Sequence, residues 1–125
     1  MRKVDPKKES PNGWKGVDLD GTLAEYHGFV SETTIGKPIP IMVERIKSWL
    51  ADGINVKIFT ARVGPGPNDI PKARKAIEDW CLEHIGQVLP VTCEKDLHMW
   101  ELWDDRCVQV VPNTSVRVDG EKDKY

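Results

Sequence analysis

A chain of 125 residues is long enough to bury a core of its own and short enough to form one domain. Its 18 Lys and Arg against 20 Asp and Glu leave a formal charge of −2, so bulk charge gives no reason to expect nucleic acid or an anionic membrane as partner. Its apolar runs are too short to cross a bilayer, and none follows Arg2 and Lys3, which predicts no membrane association, no signal peptide and a cytoplasmic protein.

Met1–Asn12 is charged, contains proline and lacks apolar periodicity, so it is predicted to be a flexible arm, with Arg2, Lys3, Lys7 and Lys8 solvated. A single domain is expected over residues 13–118, followed by a flexible tail over 119–125. Trp14–Leu19 reads as a strand entering a turn at Asp20-Gly21. Ile39, Met42, Val43, Ile46 and Leu50 keep helical spacing, and Gly53 stops that helix. Ile54–Phe59 is a second strand. After the Gly- and Pro-rich loop 63–68, Asn68 or Asp69 caps a second helix with Pro71 in its first turn. Ile70, Ala73, Ile77, Trp80, Cys81 and His84 form the inner stripe of this helix, and Gly86 ends it. Val88–Cys93, weakened by Pro90, and His98–Trp103 are expected strands, with Val108–Val111 a further short one. Cys81, Cys93 and Cys107 are widely spaced and read as reduced thiols acting as small buried hydrophobes.

Alternating strands and helices predict right-handed crossovers and a mainly parallel sheet, whose ligands lie beyond the carboxyl ends of the strands. The polar residues of interest fall at those ends: Asp18 and Asp20, then Thr60, then Lys95, then Asp104 and Asp105. Carboxylates converging on one crevice need a counter-charge, and an all-oxygen ligand set suits Mg²⁺, which in turn suits a phosphate substrate. A carboxylate kept ionised there is a nucleophile toward phosphorus, a role that falls to Asp18. Asp20, two residues on, is placed for acid–base work, Thr60 can donate a hydroxyl, and Lys95 can offset charge. Taken singly, each has a plain structural reading as a turn, strand-end or surface residue; their joint order carries the argument.

Val17-Asp-Leu-Asp-Gly-Thr-Leu23 resembles the first motif of the haloacid dehalogenase superfamily. Val56-Lys-Ile-Phe-Thr-Ala-Arg62 is similar to its second motif, Lys95 to the third, and Leu102-Trp-Asp-Asp-Arg106 to the acidic fourth. The resemblance implies a three-layer α/β/α Rossmann-like core with the first strand central, flanked by the strands that lead into Thr60 and Asp104. It further implies Asp18 as nucleophile and metal ligand, and Asp20 as acid/base with its carbonyl on the metal. Thr60, Ala61 and Lys95 would bind phosphate, Asp104 and Asp105 would complete the metal site, and Mg²⁺ would be the cofactor. An aspartate at position 20 resembles the phosphatases of that superfamily. The short Ala24–Pro38 insertion leaves room for a flap but for no substantial cap domain, so the site is expected to be open unless a second copy of the chain covers it. The Asp-Asp-Arg ending is also similar, at the level of the motif, to the phosphatase domain of bacteriophage polynucleotide kinase.

The expectation is therefore a Mg²⁺-dependent phosphohydrolase acting through an aspartyl-phosphate. Its phosphomonoester substrate would be a nucleotide, a nucleic-acid 3′-phosphate or a small phosphorylated metabolite. The competing reading is a non-catalytic phosphate- or nucleotide-binding module that keeps the same fold. Arg62 and Arg106 could contact phosphate or pair with nearby carboxylates, His27 reads as a solvated flap residue, and Trp49, Trp80, Trp100 and Trp103 as core.

Overall fold

Trp14–Asp18 (β1) pairs in parallel with a strand on each side, which places it inside the sheet. The computed structural model describes residues 12–121, so the proposed arm, apart from Asn12, and the last residues of the tail lie outside the described part. In chain order the elements are β1, helix α1 (Pro40–Ala51), β2 (Asn55–Phe59), a 3-10 turn (Ala61–Val63), helix α2 (Ile70–His84), β3 (Val91–Thr92) and β4 (Met99–Trp103). The four strands form one sheet in the order β3-β2-β1-β4, and every pairing is parallel. The architecture is thus α/β and compatible with a Rossmann-like α/β/α core, with β1 central as the motif order implied.

The helices begin and end where the sequence permits. Pro40 occupies the first turn of α1, where a missing N–H costs little, and Gly53 takes φ +78° just beyond its end. In α2 the Asp69 carboxylate accepts from the Lys72 N–H at 3.2 Å, and Gly86 takes φ +100° after the last turn. Met42, Val43 and Ile46 from α1 and Ala73, Ile77, Trp80 and Cys81 from α2 join one buried cluster with Val17, Val56 and Ile58 of the sheet.

The opposite face of β1 is closed differently. Gly16 leaves room there for Trp14, Leu102 and Met99, and the Trp14 ring lies under the Lys57 ammonium at 4.6 Å. The Trp14 indole N–H donates to Asp96 at 2.9 Å, so the β3–β4 connection is fastened to the amino end of β1. Between Trp14 and Lys15 the register with β4 shifts, and Trp100 is the extra residue. Its indole packs directly over Gly13, where a side chain would have no space. Trp103 instead meets Trp49 of α1 with ring centroids 5.2 Å apart. Helices are expected over both tryptophans; the one over Trp103 is present, while the described contact of Trp100 on its face is with Gly13.

Two strand expectations change. Val88–Cys93 shortens to Val91–Thr92 because Pro90 has no N–H for the ladder, although its carbonyl still accepts from Ile58 N at 2.8 Å. Val108–Val111 is not a sheet strand; Val110 bridges Arg117 in an antiparallel loop whose turn places Asn113 and Ser115 at φ +66° and +58°.

Candidate active site

Register decides what meets at the carboxyl edge. Val17 pairs with Trp103 and Asp18 with Phe59, so Asp104 and Thr60 emerge on either side of Asp18. One carboxylate oxygen from each of Asp18, Asp104 and Asp105 lies within 4.8 Å of the others. The Asp18 carboxyl is pushed up to about 7, first by burial, then by the negative charge of Asp104 and by hydrogen-bond contact with Asp105. The Thr22 hydroxyl, 3.3 Å from Asp18 Oδ2, opposes that rise. Asp104 is further fixed by accepting from the Arg106 N–H at 2.7 Å.

Gly21 makes this crowding feasible. It takes φ +90°, and a β-carbon there would sit 2.4 Å from Asp105 Oδ2. The turn is closed by the Leu19 carbonyl, which accepts from Leu23 and Ala24 at 3.0 and 2.8 Å.

Asp20 stands apart from the trio. Its two oxygens accept from Arg62 Nε and Nη2 at 2.8 and 2.9 Å, and Arg62 Nη1 donates to the Ser31 carbonyl at 3.0 Å. Of the two readings left open for Arg62, the structure shows the carboxylate pair. Thr60 is 2% exposed, and its Oγ1 accepts from the Arg62 N–H at 3.1 Å, which leaves its own O–H to donate.

These residues line an open cleft of about 440 Å³ whose walls include Asp18, Asp20, Thr60, Ala61, Asp104 and Asp105. Arg62 and Arg106 supply its cations, Tyr26, Phe29 and Phe59 its aromatic wall, and Cys107 and Asn68 also reach it. Cys107 is exposed here rather than buried, because it follows β4 out of the sheet.

Lys95 is not brought in. It is exposed and absent from the cleft wall. The reason lies one residue on: Asp96 is bonded to Trp14 at the amino end of β1. The same carboxylate lies 3.9 Å from Lys57 Nζ, so the connection that carries Lys95 is fastened against β1 and β2 and not at the cleft wall. His27 is exposed and lines a smaller hollow of about 200 Å³ under the flap, with Glu25 and Arg62 among its other walls.

The fold and cleft together define an α/β domain with a carboxylate-rich site at the carboxyl edge of a parallel sheet. No family model matches the chain, and no curated protein matches it. A solved structure of a conserved protein coded by a locus of Bacteroides thetaiotaomicron is similar, with a TM-score of 0.51 and 21% identity. The likeness covers 79% of this chain and 80% of that one, and it is a likeness of fold.

Proposed function

We propose that this chain is a Mg²⁺-dependent phosphohydrolase of the haloacid dehalogenase type, acting on a phosphomonoester through an aspartyl-phosphate on Asp18. The observation that carries the reading is the convergence of the Asp18, Asp104 and Asp105 oxygens within 4.8 Å beside a separately held Asp20. Three carboxylates at that separation repel one another, and the Asp18 carboxyl is raised first by its burial and then by the charge of Asp104. The donor set fits a hard divalent ion: Asp18, Asp104 and Asp105 would hold it by their carboxylates, and Asp20 by its carbonyl. When bound, the ion would keep Asp18 ionised and offset charge on the phosphoryl oxygens.

In the proposed reaction an Asp18 oxygen forms a bond to phosphorus as the bond from phosphorus to the leaving alcohol breaks. Asp20 gives a proton to the leaving oxygen. Asp20 then takes a proton from a water, whose oxygen attacks phosphorus, releases inorganic phosphate and restores Asp18. The Thr60 hydroxyl and the backbone at Ala61 hold phosphoryl oxygens, and Arg106 takes the charge-offsetting place once given to Lys95.

The test is release of inorganic phosphate from aryl phosphates with and without Mg²⁺, on wild type and Asp18→Asn. Turnover that needs Mg²⁺ and vanishes in the variant supports the reading. Phosphate binding without turnover by the wild type defeats it in favour of a binding module. Asp104→Ala is expected to raise the Mg²⁺ needed for half-maximal rate more than it lowers the rate at saturating metal. The opposite pattern removes Asp104 from the metal set.

A further inference from the structure

A guanidinium withdrawn from water is costly unless its planar fork is matched by acceptors. Among the described residues Arg62 is the one charged side chain that is fully buried, at 5% exposure. Nε and Nη2 grip both oxygens of Asp20 at 2.8 and 2.9 Å, and Nη1 reaches the Ser31 carbonyl at 3.0 Å. The guanidinium carbon lies 5.6 Å from the Phe29 ring centroid. Its backbone is also engaged, the N–H with Thr60 Oγ1 at 3.1 Å and the carbonyl with Asn68 Nδ2 at 3.4 Å. One residue therefore joins the turn after β1, the flap and the cleft wall.

Two consequences follow from elementary geometry. A carboxylate whose two oxygens sit in one fork cannot turn about its Cβ–Cγ bond, so the remaining lone pairs of Asp20 keep a fixed aim. Acid–base efficiency depends on that aim, because the proton must travel along a hydrogen bond of correct direction. The flap, for its part, is tied at its base by Glu25 N to the Lys37 carbonyl at 2.8 Å and by Trp80 Nε1 to the Gly36 carbonyl at 3.1 Å. Farther out, Ser31 and Phe29 meet Arg62.

We propose that Arg62 is a positioning residue: it fixes the Asp20 carboxylate and fastens the outer flap to that same carboxylate, so that acid–base geometry and flap position form one unit. The proposal rests on Asp20 serving as the general acid–base. It deepens that reading by assigning a residue that acts through Asp20 without being a phosphate ligand itself.

The experiment is a double-substitution cycle of Arg62→Met and Asp20→Asn in the full chain, read on aryl phosphates with a range of leaving groups. Arg62→Met is expected to lower kcat roughly 10²-fold on the poorest leaving group, and less on the best, since good leaving groups need less protonation. In the Asp20→Asn background the same substitution should cost less than about threefold, because its effect runs through Asp20. Arg62→Lys should recover part of kcat, as one ammonium can meet one carboxylate oxygen but not both. Losses that multiply in the double variant, or a raised KM with unchanged kcat, overturn the proposal and make Arg62 a direct phosphate ligand. If the Met variant does not fold, the Lys variant in both backgrounds decides the same question. Hydrogen exchange over residues 25–37 gives a readout independent of turnover: faster exchange in both Arg62→Met and Asp20→Asn supports the tether, and unchanged exchange defeats it. A wild type that exchanges as expected yet hydrolyses none of the substrates sinks the phosphohydrolase reading and leaves the tether standing.

Discussion

The thiols of Cys81 and Cys107 both lie above the ordinary cysteine range, for different reasons. Burial within α2 pushes Cys81 up to about 12, whereas Cys107 is raised by partial burial and then by the charges of Asp104 and Asp18 across the cleft. A thiol reacts as its thiolate, so at about pH 8 Cys81 should resist a disulfide reagent until the protein unfolds, while Cys107 should be modified in the native state. In a Cys93→Ser background the two are resolved by labelling kinetics. Asp104→Asn or added Mg²⁺ should speed Cys107, because lessening the nearby negative charge lowers its pKa. Native Cys81 reacting as fast as Cys107 would contradict this account of burial. At the same scale, Asp18, Asp20, Thr60, Asp104 and Asp105 were legible in the sequence because each follows an apolar strand, and parallel strands end together. Lys95 and Arg62 were not. The reach of Lys95 depends on the route of the β3–β4 connection, which Asp96 sets by bonding to Trp14 some 80 residues away in sequence. The partner of Arg62 depends on a turn 42 residues earlier, and its only local signal was its place at the end of the Val56–Arg62 motif, two residues after Thr60.

At the scale of elements, the flap shows how little sequence is needed to fix a loop. Ala24 bridges Pro38 antiparallel, Ile39 N donates to the Leu23 carbonyl at 2.8 Å, and Glu25 N to Lys37. Gly36 completes this base, since a β-carbon there would lie 2.0 Å from the Glu25 carbonyl oxygen. Gly36→Ala must push those two backbones apart, at a cost of about 1–3 kcal/mol by analogy with overpacked sites. Thermal unfolding should show that loss, and hydrogen exchange should place it in residues 25–37 with the sheet unchanged; protection intact in the flap would rule the clash out. The helices and central strands were readable from periodicity because their apolar faces pack on one cluster. The edges were less so. β3 is cut short by Pro90, and Val108–Val111 has strand-forming residues but only a local antiparallel partner. Strand propensity expresses a surface to pack on, and none is supplied there by the sheet.

For the whole molecule, the carboxylate cluster sets a dependence of stability on pH. The Asp18 carboxyl stands at about 7 in the folded protein against an ordinary value of 3.8. Because the folded state holds this proton more tightly than the unfolded chain, folding binds protons between those two values. The contribution to stability is therefore fully present below the ordinary value and is lost as pH rises through the folded value. Metal-free protein should thus become less stable, through Asp18, as pH goes from about 4 to about 7. Other carboxylates, Asp119 among them, change stability in the opposite sense at more acid pH. The Arg117 guanidinium holds Asp119 at about 2, so the comparison that isolates Asp18 is wild type against Asp18→Asn. The variant should lack the falling limb and should melt above wild type in EDTA near pH 7, because it removes one of three crowded charges. Mg²⁺ binding only the folded state should reverse the order. At a hundredfold excess over its Kd, bound Mg²⁺ would add about 2.7 kcal/mol to wild type, worth roughly 3–6 °C of Tm per kcal/mol in a domain of this size. Asp18→Asn, short of one ligand, should gain much less. Melting curves across that pH range, with EDTA and with Mg²⁺, carry the test. A wild type no less stable than Asp18→Asn in EDTA, with equal gains from Mg²⁺ in both, would mean that the three carboxylates neither strain the fold nor hold a metal.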